Sequence, residues 1–373
     1  MKIAVDAFPL LSKHKSGIPN YVRNILSHIL DEDTADEYFL YSKNPVMFQD
    51  RPNLRCRVKH SATAESSSYG NTLWLFSKGV QMMKQDCIDI FWGTRQMLPP
   101  FLPGGIKKVL TVYDLVWHYF PGTMDAYNRL VMNFFTKSSI RSADHIITIS
   151  DASRKALVDV MRISEERISV IYPAADGYMP LDKNDSALYI SEKYQTNKDY
   201  VLTVSTIEPR KNLPMLLKIF SKFKHSGIQL LIAGASGWKN SAIFAEYRRL
   251  GFSEDQVRFL GYVPDEDMNR LYSGARLFLF PSIYEGFGIP PLEAMAAGTP
   301  VITSNSSSLP EVTGDYGMLL DPHDLSGWQD AIDKVLYSRT LQDDLVHKGL
   351  QSAKRFSWEH SASQTLEIFK KLV

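Results

Sequence analysis

The chain has 373 residues, of which 44% are hydrophobic and 22% are charged, and 42 basic against 41 acidic residues leave a formal net charge of +1. A length of this order predicts two domains, because a single core rarely grows past about 300 residues. The composition excludes a disordered or fibrous chain, and the lack of a basic excess argues against a nucleic-acid partner.

Apolar runs of strand length alternate with amphipathic stretches through the first half of the chain. The predicted strands are residues 2–6, 87–92, 108–112, 145–149 and 168–171. A helix is predicted to open at Gly17-Ile18-Pro19, and another over residues 153–161 with Asp151 as its candidate N-cap. This order predicts a parallel sheet covered by helices.

The alternation of predicted strands and helices is interrupted at residues 173–199. This stretch holds prolines, asparagines and charges and is the candidate connection between domains. The alternation restarts with predicted strands at residues 200–205, 229–233, 257–260, 277–281 and 300–303. The chain is therefore predicted to hold two α/β domains in series, 1–180 and 181–356.

The sequence offers no signal for secretion or membrane insertion. Asp6 interrupts the mildly apolar start, and no run of about 18 apolar residues occurs. Cys56 and Cys87 have neither disulfide nor metal-site spacing, so we expect a reducing, cytoplasmic location.

The most informative segment is PSIYEGFGIPPLEAMAAG, residues 281–298. Glu285 follows a predicted strand, and Gly286 and Gly288 allow close approach of the backbone to a ligand. A loop of this kind that leads into a helix N-terminus predicts an anion site, with phosphate as the natural occupant.

Two carboxylates flank this loop. Glu285 in the loop and Glu293, expected in the first helical turn, would bracket a ligand that carries several hydroxyls, such as a sugar. Taken alone, Glu293 is also explained by ordinary helix capping.

The segment resembles the E-x7-E signature of retaining glycosyltransferases of family 4. Four more blocks occur in the family's order: VSTIEPRKNL at 204–213, GYVPDEDMNRLYSGA at 261–275, SSSLPEVTGDYGMLLDP at 306–322 and FSWEHSA at 356–362. The resemblance covers nearly the whole chain. It implies the α/β GT-B fold, in which two Rossmann-like domains face each other across a cleft, and a C-terminal helix at about 357–373 that crosses back to the first domain.

The resemblance also implies a donor site in the second domain. Arg210 and Lys211 would hold the diphosphate of a nucleotide sugar, Glu285 would contact the donor sugar, and Glu293 would accept hydrogen bonds from the ribose. Lys211 matches the family lysine, whereas Arg210 is a candidate for the second charge. Backbone groups would supply the remaining contacts, from Gly286, Phe287 and Gly288 to the sugar or phosphate and from Tyr262 and Val263 near the base.

The first domain would face the acceptor. Gly17 occupies the loop where the family has a glycine near the diphosphate, although a plain turn glycine fits its spacing equally well. Tyr113 stands before Asp114 where the family usually has histidine, with His118 nearby as a substitute or as an ordinary surface histidine. Arg95 is a further acceptor-side candidate.

No metal or other cofactor is expected. The D-x-D pairs Asp31–Asp33 and Asp265–Asp267 are read as a solvated loop and a helix start. Arg210, Lys211 and a helix dipole would instead balance the charge of the leaving group.

The resemblance implies retaining transfer of a sugar from a nucleotide sugar to a glycan or lipid-linked sugar in polysaccharide synthesis. The TIEPRKNL and SSSLPEV variants are similar to bacterial mannosyltransferases, which favours GDP-mannose. The alternatives are a UDP-sugar-dependent glucosyl or N-acetylglucosaminyl transferase, a nucleotide-sugar epimerase, and a non-catalytic sugar-nucleotide binding module.

A lipid-linked acceptor would bring the protein to the inner face of the membrane. Residues 74–76 (WLF) and 82–84 (MMK) could form an apolar and basic patch for peripheral membrane contact. The alternative is an ordinary amphipathic helix that packs into the core.

Overall fold

The computed structural model describes residues 1–12, 17–46, 48, 56–59, 68–123 and 132–373. The chain divides into two compact units: Met1–Pro121, Asp125–Pro173 and Trp358–Val373 form the first, and Gly122–Met124 and Ala174–Ser357 form the second. The main division lies between Pro173 and Ala174, somewhat ahead of the expected boundary at 180.

The first unit is built on a seven-stranded parallel sheet with the order β3-β2-β1-β4-β5-β6-β7. Its strands are β1 Lys2–Asp6, β2 Glu37–Tyr41, β3 Cys56–Lys59, β4 Ile90–Gly93, β5 Lys107–Val112, β6 His145–Thr148 and β7 Ile168–Val170. In the register, Ala4 lies opposite Phe39 on one side and Phe91 on the other. Chain order therefore reverses at β1, so the switch point of the sheet lies between β1 and β4.

The second unit holds a six-stranded parallel sheet with the order β10-β9-β8-β11-β12-β13. Its strands are β8 Tyr200–Val204, β9 Gln229–Ala233, β10 Val257–Gly261, β11 Leu277–Phe280, β12 Val301–Ser304 and β13 Met318–Leu320. Strands β8 and β11 are neighbours, with Leu202 opposite Phe278. The loops that follow them are brought side by side at the switch point of this sheet.

Helices cover both sheets. In the first unit the α-helices are Ile18–Glu32, Ser68–Trp74, Val80–Asp86, Val116–Tyr119, Lys137–Ser142, Asp151–Met161 and Trp358–Leu372. In the second unit they are Lys183–Tyr194, Leu213–Phe220, Ser241–Leu250, Asp265–Gly274, Ile289–Ala296, Leu309–Thr313, Leu325–Tyr337 and Arg339–Ala353. Strands β4, β9, β11 and β12 are buried along their whole length, as expected inside a parallel sheet that helices cover on both faces.

The structure corrects several sequence-based predictions. Strands β2, β3 and β13 were not predicted. The expected connection at 173–199 contains a helix, Lys183–Tyr194, whose N-cap is Asp182. Ser150 rather than Asp151 caps the helix Asp151–Met161, because its side chain accepts from the Ser153 backbone N–H.

The candidate membrane patch is largely part of the core. Trp74, Leu75 and Met83 are buried, and Phe76 packs on Phe135 with ring centroids 6.1 Å apart. These contacts fit the alternative of an amphipathic core helix. None of the helices in the described part of the chain combines the length and apolar character that crossing a bilayer requires.

The C-terminal helix Trp358–Leu372 belongs to the first unit. Phe369 is fully buried, and its ring centroid lies 5.8 Å from that of Trp92 on β4. At the start of the helix, the Ser361 hydroxyl donates to the Tyr172 carbonyl over 2.7 Å. The C-terminal helix therefore packs into the hydrophobic core of the first unit.

We expect Phe369→Ala to lower the free energy of unfolding by about 3–5 kcal/mol, since truncation of a buried aromatic ring leaves a cavity. Chemical denaturation followed by tryptophan fluorescence measures this. Lys370→Ala is the matched control, because Lys370 is an exposed neighbour on the same helix; an equal loss in both variants would contradict the packing described.

Candidate functional site

The loops after β8 and β11 are joined by direct hydrogen bonds. The Arg210 carbonyl accepts from the Ile283 backbone N–H over 2.9 Å and from the Ser282 hydroxyl over 3.2 Å. Arg210 and Lys211 lie in the short 3-10 turn Pro209–Lys211, which Asn212 ends in the left-handed region with φ 57°. The pairing of β8 with β11 therefore carries both cations to the loop of Glu285.

Glu285 is buried and its carboxylate is bound on both oxygens. Oε1 accepts from Lys211 Nζ and from Ser282 Oγ, each over 2.6 Å. Oε2 accepts from Arg210 Nη1 over 2.9 Å. The sequence places the three charged residues in two blocks far apart in the chain, and the fold brings them into one cluster.

The cluster determines the charge states of its members. Burial alone would raise the pKa of Glu285, but Arg210 and Lys211 outweigh it and hold the pKa at about 2. Burial lowers the pKa of Lys211, while Glu285 opposes that shift. Glu285 is consequently a carboxylate at neutral pH and a very weak base.

Serine side chains that the sequence reasoning missed hold the Glu285 loop in place. Ser307 Oγ accepts from the Glu285 backbone N–H over 2.8 Å. Ser308 Oγ donates to the carbonyls of Glu285 and Phe287, at 3.0 and 2.7 Å. The SSSLPEV block was noted only as a family match, and its hydroxyls were a signal that could have pointed to this role.

The loop around Gly288 and the start of the following helix offer fewer backbone N–H donors than the sequence predicts. Gly288 has φ 127°, and a Cβ there would lie 2.8 Å from Leu309 Cδ2, so glycine is required. Pro290 and Pro291 carry no N–H, and the Leu292 N–H already bonds the Gly288 carbonyl over 3.2 Å. Two of the four N–H groups that an ordinary helix N-terminus leaves free are therefore absent from this helix.

The remaining donor-side residues are positioned by the same unit. Phe287 is buried, with its ring edge-on to Phe356 at 5.3 Å, and Gly286 precedes it in the loop. Val263 is also buried in the core, whereas Tyr262 is 44% exposed.

Glu293 lies in a separate environment from Glu285. It falls in the second turn of the helix Ile289–Ala296, not the first turn as expected, and it caps nothing. Its Oε2 accepts from the Tyr272 hydroxyl over 2.8 Å, and Tyr178 packs edge-on against Tyr272 at 5.6 Å. Burial raises the pKa of Glu293 to about 7, against the hydrogen bonds from the two tyrosines.

The acceptor-side candidates of the first unit gather at the carboxyl ends of β1, β4 and β5. Arg95 Nε donates to Asp6 Oδ2 over 2.7 Å, and the Thr94 hydroxyl donates to the Asp6 carbonyl over 2.6 Å. The Tyr113 hydroxyl donates to the Thr94 carbonyl over 2.9 Å. Burial raises the pKa of Tyr113 well above its ordinary value. Asp6, which ends β1 at the switch point, joins two other residues of this network, and the sequence reasoning did not single it out.

The other first-unit candidates are less connected to this network. Gly17 has φ 57° and precedes the helix Ile18–Glu32, and no atom of the described residues lies within 4 Å of an added Cβ. Asp114 Oδ1 accepts from the Val116 backbone N–H over 3.0 Å. His118 is exposed and stacks edge-on with Trp117 and Tyr119.

The two D-x-D pairs have structural partners. Asp33 is buried and accepts from the Tyr38 hydroxyl over 2.6 Å, so it does not fit the predicted solvated loop, whereas Asp31 is exposed. Asp267 is buried and accepts from the Tyr189 hydroxyl over 2.8 Å, inside the helix Asp265–Gly274 that the sequence predicted. No group of acidic, histidine or cysteine side chains within the described ranges could hold a metal ion.

Two Rossmann-like units of this kind, each with polar residues at the carboxyl ends of a parallel sheet, match the GT-B fold class. The chain is similar in fold to sucrose-phosphate synthase from Thermosynechococcus elongatus, with a TM-score of 0.74, 21% identity, and coverage of 100% of this chain and 98% of that one. It is also similar to HepE of Anabaena in complex with UDP-glucose, with a TM-score of 0.75, 18% identity and 99% of both chains covered.

Sequence comparison assigns the family. The family model "Glycosyl transferases group 1" matches residues 190–352, and the model "Glycosyltransferase Family 4" matches residues 16–176. The chain belongs to glycosyltransferase family 4. It is 38% identical over 239 residues to O-antigen chain mannosyltransferase B of Escherichia coli, an alignment that spans 63% of this chain and 62% of that relative.

The pKa of Glu293 predicts a pH dependence of stability. Because the folded pKa of about 7 exceeds the ordinary value of 4.5, the contribution of Glu293 is fully present below about pH 4.5 and is lost as the pH rises toward 7. Relative to a Glu293→Gln variant, the wild type should lose unfolding free energy between about pH 5 and 8, measured by denaturation at several pH values.

Glu285→Gln is the control for this experiment. With its folded pKa at about 2, Glu285 changes its contribution only as the pH falls below about 4.5. Its difference from the wild type should stay flat from about pH 5 to 8, and a flat Glu293→Gln difference as well would contradict the assignment.

Proposed function

We propose that this protein transfers a glycosyl group from a nucleotide sugar to a glycan or lipid-linked sugar acceptor in polysaccharide synthesis. The observation that carries the proposal is the buried cluster of Glu285, Arg210 and Lys211 at the switch point of the second sheet. Family membership and the similarity to an O-antigen chain mannosyltransferase support the same class of activity.

The two cations of the cluster suit a diphosphate leaving group. Departure of a nucleoside diphosphate from the anomeric carbon develops negative charge on the phosphate oxygen. Arg210 and Lys211, fixed in a largely buried site, would stabilise that charge without reorganisation. We infer that this stabilisation is the main catalytic contribution of the protein and that no metal ion is needed for it.

Glu285 would act as a positioning group. Its pKa of about 2 and its three hydrogen bonds make it a poor base and a poor nucleophile. A carboxylate held this firmly is suited to orient sugar hydroxyls and the neighbouring cations. We propose no nucleophilic role for Glu285. The resemblance to retaining glycosyltransferases implies same-face attack, in which the leaving phosphate takes the proton of the acceptor.

Glu293 would bind the ribose, with the backbone beside Tyr262 and Val263 near the base. Mannose from GDP-mannose is the proposed donor, supported by the similarity to the Escherichia coli mannosyltransferase. The network of Asp6, Arg95 and Tyr113 in the first unit is the proposed acceptor side. A lipid-linked acceptor would place the protein in peripheral contact with the inner face of the membrane.

We expect GDP to raise the melting temperature of the protein, with UDP, ADP and dTDP as comparisons. A nucleotide that binds only the folded state adds about 2.7 kcal/mol at 100 times its dissociation constant. A larger shift with UDP would move the donor to the UDP-sugar alternative. No shift with any of the four nucleotides would overturn the nucleotide-sugar proposal.

Glu285→Gln and Lys211→Met should each lower the rate of glycosyl transfer by at least about 100-fold, since both change the charge balance at the leaving group. Near wild-type turnover in either would contradict the site assignment. Each variant removes one charge of a buried ion pair, which costs about 3–5 kcal/mol of stability. Thermal unfolding verifies that both variants fold.

Acceptor dependence separates the proposal from its alternatives. GDP release from GDP-mannose that requires a glycan acceptor, and that persists in EDTA, is the expected result. Conversion of the donor without an acceptor would indicate an epimerase, and binding without turnover would indicate a non-catalytic module.

A further inference from the structure

We infer that Glu208 is a positioning residue that holds the Arg210 guanidinium in place for the donor diphosphate. The inference rests on the proposed function, because it concerns how the second cation of that site is presented. Glu208 lies in the loop after β8 within the block VSTIEPRKNL, is 4% exposed, and is not among the candidate site residues named from the sequence.

The guanidinium of Arg210 donates hydrogen bonds to two different acidic residues. Nη2 donates to Glu208 Oε1 over 2.6 Å, while Nη1 donates to Glu285 Oε2 over 2.9 Å. Nη1 also donates to the carbonyl of Tyr284. With Arg210 only 16% exposed, these contacts restrict the plane of the guanidinium to one orientation.

The binding of Arg210 by two separate glutamates is notable because an arginine and a single carboxylate prefer a bidentate pair with two parallel hydrogen bonds. Without an acceptor at Glu208, Nη2 would be released to form such a pair with Glu285. That arrangement would compete with Lys211, whose Nζ occupies Glu285 Oε1 at 2.6 Å. Glu208 thus prevents Arg210 from forming a bidentate pair with Glu285. Arg210 and Lys211 then remain two separate cations that can contact the phosphates.

A purely electrostatic role of Glu208 predicts the opposite effect on the affinity for a diphosphate. Arg210 and Lys211 are balanced by Glu208 and Glu285, so the four side chains have no formal net charge. If Glu208 acted only through its charge, its neutralisation would strengthen the binding of an anion. The sign of the effect on diphosphate affinity therefore distinguishes positioning from charge.

Two conservative variants separate these effects. Glu208→Gln keeps the length of the side chain and an acceptor oxygen but removes the charge. Glu208→Asp keeps the charge but withdraws the carboxylate by one methylene. The measurement is the affinity of the full chain for GDP and for GMP by calorimetry, since only GDP carries the second phosphate that the cations would hold.

We expect Glu208→Asp to weaken GDP binding by about tenfold, the scale of one lost charge-assisted hydrogen bond, with GMP affected less than about threefold. Glu208→Gln should bind GDP within about threefold of the wild type. Glu254→Ala is the matched control, because it removes an exposed glutamate, 78% accessible, from the same unit without touching the cluster.

Three outcomes would overturn the inference. Tighter GDP binding by Glu208→Gln with unchanged Glu208→Asp would show a charge effect, and equal losses for GDP and GMP would show a purely structural role. Unchanged affinity in both variants would show no role. Failure of the wild type to bind GDP, UDP, ADP or dTDP would instead reject the proposed function itself, and the inference with it.

Discussion

The buried carboxylate of Glu285 is the constraint on which the second unit depends. A charge removed from water is tolerated only where opposite charges and hydrogen bonds compensate it. Lys211, Arg210 and Ser282 supply that compensation, and each of them is itself desolvated by the same packing. The loops after β8 and β11 are consequently bound to each other by ionic contacts as well as by the sheet, and the cations are fixed before any ligand arrives.

The parallel sheets explain why this cluster forms where it does. In the second unit, β8 and β11 are neighbours although β9 and β10 lie between them in the chain. The carboxyl ends of parallel strands lie at one edge, so the loops of Arg210 and Glu285 must meet. The first unit repeats the arrangement with β1 and β4, where Asp6 meets Arg95. Both units thus use the switch point of the sheet to assemble polar side chains.

The two glutamates of the signature segment show how partners determine chemistry. Glu285 contacts two cations and its pKa is about 2, whereas Glu293 contacts tyrosine hydroxyls and its pKa is about 7. Neutral donors stabilise a carboxylate less than cations do, so burial dominates for Glu293 and not for Glu285. The same residue type, on one loop and its helix, is therefore a carboxylate at neutral pH in one case and titrates near neutral pH in the other.

The sequence by itself determined the alternation of strands and helices, the parallel α/β class, the family and the loop of Glu285, because periodicity, glycines and prolines act locally. Its failures were also local: β2 follows an acidic run, and the helix Lys183–Tyr194 lies in a polar stretch with little apolar periodicity. Only the tertiary structure decided that Asp6 pairs with Arg95, that serines hold the Glu285 loop, and that Glu208 shares Arg210 with Glu285. Most of these contacts join residues distant in the chain, and Glu208 is linked to Glu285 only through Arg210. Strand order and burial therefore determine these contacts.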